Sequence, residues 1–109
     1  MRNYKNLKIW EQGIELVKQI YVLVEQLPLT EKFGLKSQIT RAAVSIPSNI
    51  AEGCSRNSEI EFKRFLEIAM GSLFEVETQL IIIHELNVIN PNDLKPVFEL
   101  LETEGKMIN

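Results

Sequence analysis

The chain has 109 residues, of which 45 % are hydrophobic and 25 % charged, with a net charge of −3 at neutral pH. That length supports one core and hence one domain over residues 1–109, and those proportions are average for a soluble globular protein, which excludes a disordered or fibrous chain. No apolar run approaches the roughly 20 residues of a membrane span, the N-terminus lacks a secretory pattern and a single cysteine excludes an internal disulfide, so a soluble cytoplasmic protein is expected.

An acidic balance, with a pI near 5.2, also argues against a surface coated in positive charge for nucleic acid. The two halves differ, however: residues 1–57 carry eight Lys or Arg against five Asp or Glu, and residues 58–109 carry four against ten.

The first helix is predicted over residues 6–27. Leu7, Trp10, Ile14, Val17, Tyr21 and Val24 recur three and four apart and form one stripe; Ile9, Leu16, Ile20, Leu23 and Leu27 form a second. One wide stripe suffices for a bundle core, so the second, through Ile9, Leu16, Ile20 and Leu23, is expected to bury against another subunit. Gly13, unfavourable in mid-helix, is expected to permit a close contact.

Pro28 stops this helix, and Thr30 is the expected N-cap of a second helix over residues 30–53, with Leu35, Ile39, Ala42, Ile46 and Ile50 facing inward. Pro47 lies inside it and deprives the Ala43 carbonyl of its donor, so a kink is expected, a break at Ile46 being the alternative. Ser45, Ser48 and Asn49 can satisfy backbone groups there. Gly53 reads as a left-handed stop, and residues 54–57 as a short turn between antiparallel helices.

The third helix, over residues 58–87, begins at the capping box Ser58-Glu59-Ile60-Glu61 and continues along Phe62, Leu66, Ala69, Leu73, Val76, Leu80 and Ile83. Folding back about the 54–57 turn should place residues whose numbers sum to about 111 opposite one another, Ala42 beside Ala69 and Pro47 beside Arg64. Asn90 and Pro91 then cap and start a fourth helix over residues 91–106, its regular part beginning at Asp93 or later because of Pro96. Val97, Leu100, Leu101 and Ile108 form its apolar face. The fold class is therefore all-α, an antiparallel up-down four-helix bundle with a second helix kinked at Pro47.

The run Ser37-Gln38-Ile39-Thr40-Arg41-Ala42-Ala43-Val44-Ser45-Ile46-Pro47-Ser48-Asn49-Ile50-Ala51-Glu52-Gly53, followed by Arg56, Ser58, Glu61-Phe62 and Ala69-Met70-Gly71-Ser72-Leu73, resembles the four-helix-bundle proteins encoded by intervening sequences in bacterial 23S ribosomal RNA genes. The accessory variability proteins of diversity-generating retroelements look like relatives of that family. The resemblance implies an antiparallel bundle assembled as a barrel-like homopentamer, and in the retroelement relatives a basic surface that binds nucleic acid alongside a reverse transcriptase.

Chemistry-bearing residues are sparse. A carboxylate-bridged metal site in a bundle needs Glu-x-x-His on two helices, whereas Ile81 stands three residues before the one histidine, His84, so no metal or cofactor is expected. Cys54 has no base beside it in the sequence, and glycines 13, 34, 53, 71 and 105 are scattered singly rather than grouped as a phosphate loop. A non-enzymatic protein is expected. The candidate nucleic-acid contacts are Lys36, Arg41, Arg56, Lys63 and Arg64, which a ring would repeat around its axis. Their competing role is ordinary pairing: Lys63 with Glu59 or Glu67, Arg64 with Glu61, Arg56 with Glu52, and Lys36 with Glu75. The function read from the chain is thus an oligomeric bundle binding structured RNA or DNA as an accessory to a nucleic-acid enzyme, with a protein-interaction scaffold as the alternative.

Overall fold

The computed structural model describes residues 1–109. Four helices make up the fold: α1 Lys8–Leu23, α2 Leu35–Cys54, α3 Glu59–Glu85 and α4 Pro91–Ile108. Short connections turn each helix back on the one before, and α1 and α3 each pack against both α2 and α4. The result is a square up-down-up-down bundle measuring 44 × 24 × 19 Å, its long axis matched by the 27 residues of α3, about 40 Å at 1.5 Å per residue. No helix is long and apolar enough to cross a membrane.

The caps explain where the helices start. Ser58 Oγ accepts from the Glu61 backbone nitrogen at 3.1 Å, and Asn90 Oδ1 from that of Asn92 at 2.8 Å, as their spacing predicts. Helix α4 is regular from Pro91 itself, and Pro96 is accommodated on its exposed side, where the Asn92 carbonyl left without a donor can face water. Thr30 is not a cap. Residues Leu29–Glu31 form a single 3-10 turn, Gly34 departs from helical geometry, and α2 starts five residues later than expected, with Glu31 Oε1 accepting from Leu35 N at 3.2 Å. At its other end α1 tightens into a 3-10 turn over Val24–Gln26 before Pro28.

Helix α2 runs unbroken through Pro47, which is buried. Ser45 Oγ donates to the Ala42 carbonyl and Asn49 Nδ2 to the Ser45 carbonyl, each at 2.7 Å, so side chains from either side of the proline bond backbone carbonyls in the turn before it. Gly53 is not a left-handed stop: no glycine has positive φ, and α2 continues to Cys54. The left-handed residue is Asn87, φ 56°, just beyond α3.

The two faces of α1 are exchanged relative to the sequence expectation. Leu16, Ile20 and Leu23 are at most 4 % exposed within the single chain, so they belong to its core and are unavailable to a second subunit; Ile9 packs half-buried against the same cluster. The stripe left at the surface is the other one, with Trp10, Ile14 and Val17 half-buried and Tyr21 exposed.

The α2–α3 register also differs. Gln79 Nε2 lies 3.5 Å from Gln38 Oε1, and a Cβ on Gly53 would stand 2.9 Å from Phe65 Cβ and 3.3 Å from the Phe62 carbonyl. Facing residues therefore sum to about 117, which displaces α3 by more than one turn from the predicted pairing and separates Ala42 from Ala69 and Pro47 from Arg64. The displacement follows from Gly53, which brings the helices together beside Phe62 and Phe65 where a turn at Gly53 would have held them apart.

Gly53→Ala should therefore destabilise the protein by about 1–3 kcal/mol, because the new methyl meets backbone and a ring-bearing carbon despite better helix propensity. Gly71, with nothing within 4 Å of its ideal Cβ, provides the contrast. Gly71→Ala should stabilise by about 1 kcal/mol, and urea denaturation of the two variants measures both signs.

Candidate nucleic-acid interface

The five basic residues singled out by sequence do not form one patch. Lys36 and Arg41 lie toward the N-terminal end of α2; Arg56, Lys63 and Arg64 flank the α2–α3 turn, about 20 Å away along the bundle axis. Lys36 is engaged by Glu25 at 3.1 Å rather than by Glu75, since the register carries Glu75 beside Ala42 instead. Arg41 is exposed in a groove with Phe33, Ser37, Gln38 and Glu75 and has no ion-pair partner.

At the opposite end, Arg56 sits over the Phe65 ring at 4.9 Å and reaches Glu52 only at 4.0 Å. Lys63 and Arg64 are exposed, and no carboxylate comes within 4 Å of either, so the helical pairings expected for them do not form. One reason is that Glu59 pairs with Arg2. Arg2 is the residue sequence reasoning missed: its backbone nitrogen donates to the Cys54 carbonyl at 3.1 Å and its guanidinium stacks 3.7 Å from the centre of the Phe62 ring. A basic residue that precedes α1 belongs to no helical repeat that could signal this, and Phe62 reads in the sequence as one more residue of the α3 apolar stripe.

Gly13, Pro47 and Glu104 mark one level of the bundle, because a Cβ on Gly13 would meet both of the others within 3.3 Å. Below it, at the end built from the start of α1, the α2–α3 turn and the end of α4, lie Arg2, Lys5, Lys8, Arg56, Lys63, Arg64 and Lys106 against five carboxylates. Above it lie five basic residues against nine carboxylates. The charge asymmetry is thus one of ends, created by antiparallel folding, rather than of sequence halves.

Cys54 is not a loop residue but the buried last residue of α2; burial raises its thiol pKa, opposed by Arg2. His84 is exposed and borders a groove of about 490 Å³ between α3 and α4 with Ile81, Pro91 and Phe98. Glu104 is fully buried, with neither carboxylate oxygen hydrogen-bonded, and burial pushes its pKa up to about 7.

Two outward-facing apolar surfaces remain. Tyr4, Trp10, Ile14, Val17, Val44, Pro47 and Ala51 line a groove of about 310 Å³ between α1 and α2. On the opposite side of the square, α3 exposes Phe74 (57 %) and Ile81 (48 %), and Ile81 shares a groove with the half-buried Phe98 of α4.

An all-α up-down bundle with one basic end and two uncovered apolar sides is the class of protein these features define. The chain belongs to the 23S rRNA-intervening sequence protein family, whose model matches residues 5–109. Its fold is similar to a crystal structure of a protein with unknown function from the S23 ribosomal protein family of Bacteroides thetaiotaomicron, with a TM-score of 0.84 at 23 % identity over 92 % of this chain and 94 % of that one. No curated protein sequence matches the chain.

Proposed function

We propose that this protein is a non-enzymatic bundle that holds structured RNA or DNA by its phosphate backbone through the basic end, acting as a homo-oligomer beside a nucleic-acid enzyme. The observation that supports the reading is the group Arg2, Arg56, Lys63 and Arg64: two guanidiniums oriented on phenylalanine rings, and two cations with no carboxylate partner, within a few turns of the α2–α3 connection. Lys36 and Arg41 lie at the acidic end and take no part in this interface. Shape and backbone charge, rather than base edges, would set the ligand, since the groups gathered at this end are cations suited to phosphate.

One subunit offers only a handful of phosphate contacts, so repetition in an oligomer would raise the effective concentration of each patch. The two apolar surfaces favour a ring. They are different from one another and lie on opposite sides, which suits a heterologous contact in which the α3 ridge of one copy seats in the α1–α2 groove of the next, closing as a pentamer. The oligomer contacts accordingly move from Leu16, Ile20 and Leu23 to Trp10, Ile14, Val17 and Val44 on one side and Phe74 and Ile81 on the other.

Two measurements test this reading. Binding of a structured RNA and of duplex DNA should fall roughly fortyfold between 50 and 200 mM salt if about three phosphates are neutralised; Lys63→Glu with Arg64→Glu should abolish it and Lys36→Glu should not. Binding insensitive to salt or to the double reversal would leave a protein-interaction scaffold as the better account. Light scattering should give a mass several times 12.5 kDa that Val44→Glu or Phe74→Glu reduces to that of one chain. A wild-type mass of 12.5 kDa would end the ring proposal.

A further inference from the structure

Glu104 is the one fully buried ionisable carboxyl in the bundle, and the reading above gives it no part. Its Oε2 lies 3.0 Å from the point where a Gly13 Cβ would stand on α1, and Pro47 Cβ on α2 lies 3.3 Å from that same point. Neither neighbour can donate a hydrogen bond from a side chain, and Pro47 has no N–H at all. Both carboxylate oxygens are accordingly without a partner.

No cation faces it from the packed helices. On α1, Glu11 is exposed and the half-buried Glu15 is 3.5 Å from Lys18; on α2, Arg41 and Glu52 are exposed. Glu67 and Arg64 point outward from α3, and on α4 itself Lys106 is held by Glu102 at 3.2 Å. A carboxylate anion in this place has neither hydrogen-bond donor nor counter-charge, which is the costly arrangement for a buried ion. A neutral carboxyl differs, because it carries a proton to donate. The buried Ala43 lies one turn before Pro47, its carbonyl is the one the proline leaves without a helical donor, and the nearby α2 donors Ser45 Oγ and Asn49 Nδ2 are bonded to the Ala42 and Ser45 carbonyls.

We propose that Glu104 is a proton-controlled latch for α4: its neutral carboxyl lets the C-terminal half of the helix stay docked on α1 and α2, and its ionised form drives that half outward to water.

The sign follows from linkage. Burial raises the carboxyl from 4.5 in the unfolded chain to about 7 in the folded one, so between those values the folded state holds the extra proton. Stability from this group is present in full below 4.5, declines as pH rises, and is gone above about 7. Glu104→Gln and Glu104→Leu cannot ionise at this position.

The test compares the full-length protein with both variants at pH 5.5 and 8.5, by urea denaturation and by amide hydrogen-exchange protection factors. In the wild type the folding equilibrium constant should fall roughly thirtyfold between the two pH values, with amides of α4 losing protection before those of α2 and α3. Both variants should lose this pH response, and Glu104→Leu carries the comparison alone if the buried carboxamide of Glu104→Gln prevents folding. A wild-type response retained in Glu104→Leu overturns the proposal, as does a loss of protection spread evenly over all four helices.

Discussion

The close approach of α2 and α3 at Gly53 is the constraint on which the rest of the structure depends. With no side chain at that position, the Phe62 carbonyl and the Phe65 side chain come against the α2 backbone, and any larger residue there would force the two helices to shift apart. The contact sets the register of the two longest helices. Register in turn decides which side chains gather at each end of the bundle, leaves the Phe62 ring as a platform for Arg2 and the Phe65 ring for Arg56, and places Glu75 beside Ala42 rather than beside Lys36.

Much of this fold is legible in the chain because its signals are local. Four apolar periodicities, the Ser58 and Asn90 caps and the proline after α1 each act within one helical turn, and they give the helices, their order and their antiparallel sense. What escapes is whatever depends on a choice between two locally reasonable outcomes. Gly53 suits a left-handed stop and a close helix contact equally well, and only the rings of Phe62 and Phe65 decide between them. The two stripes of α1 have the same spacing, and the one that becomes core is selected by the shape of the other three helices; Leu16, Ile20 and Leu23 fill the centre, and Trp10 and Ile14 remain at its edge.

The candidate site divides in the same manner. Arg56, Lys63 and Arg64 surround one turn, whereas Arg2 joins them through tertiary contacts and Lys36 and Arg41 are carried to the other end by the helical rise of α2 itself. Net charge and its division between sequence halves hide an asymmetry along the bundle axis, since each half contributes helices that reach both ends. Glu104 was hidden by composition alone: at the sequence level it is one acid among fifteen, and only the approach of Gly13 and Pro47 shows that water is excluded from it. The membership of the 23S rRNA-intervening sequence protein family and the shared fold of the Bacteroides protein agree with the bundle.

The register of α2 against α3 carries the whole account, and cross-linking reads it directly. In a Cys54→Ser background, Gln38→Cys combined with Gln79→Cys should join rapidly within one chain through a short bis-thiol cross-linker, and Gln38→Cys combined with Ser72→Cys, about 10 Å further along the axis, should join slowly. Faster joining of the second pair would contradict the register, and with it the seating of Gly53 against Phe62 and Phe65.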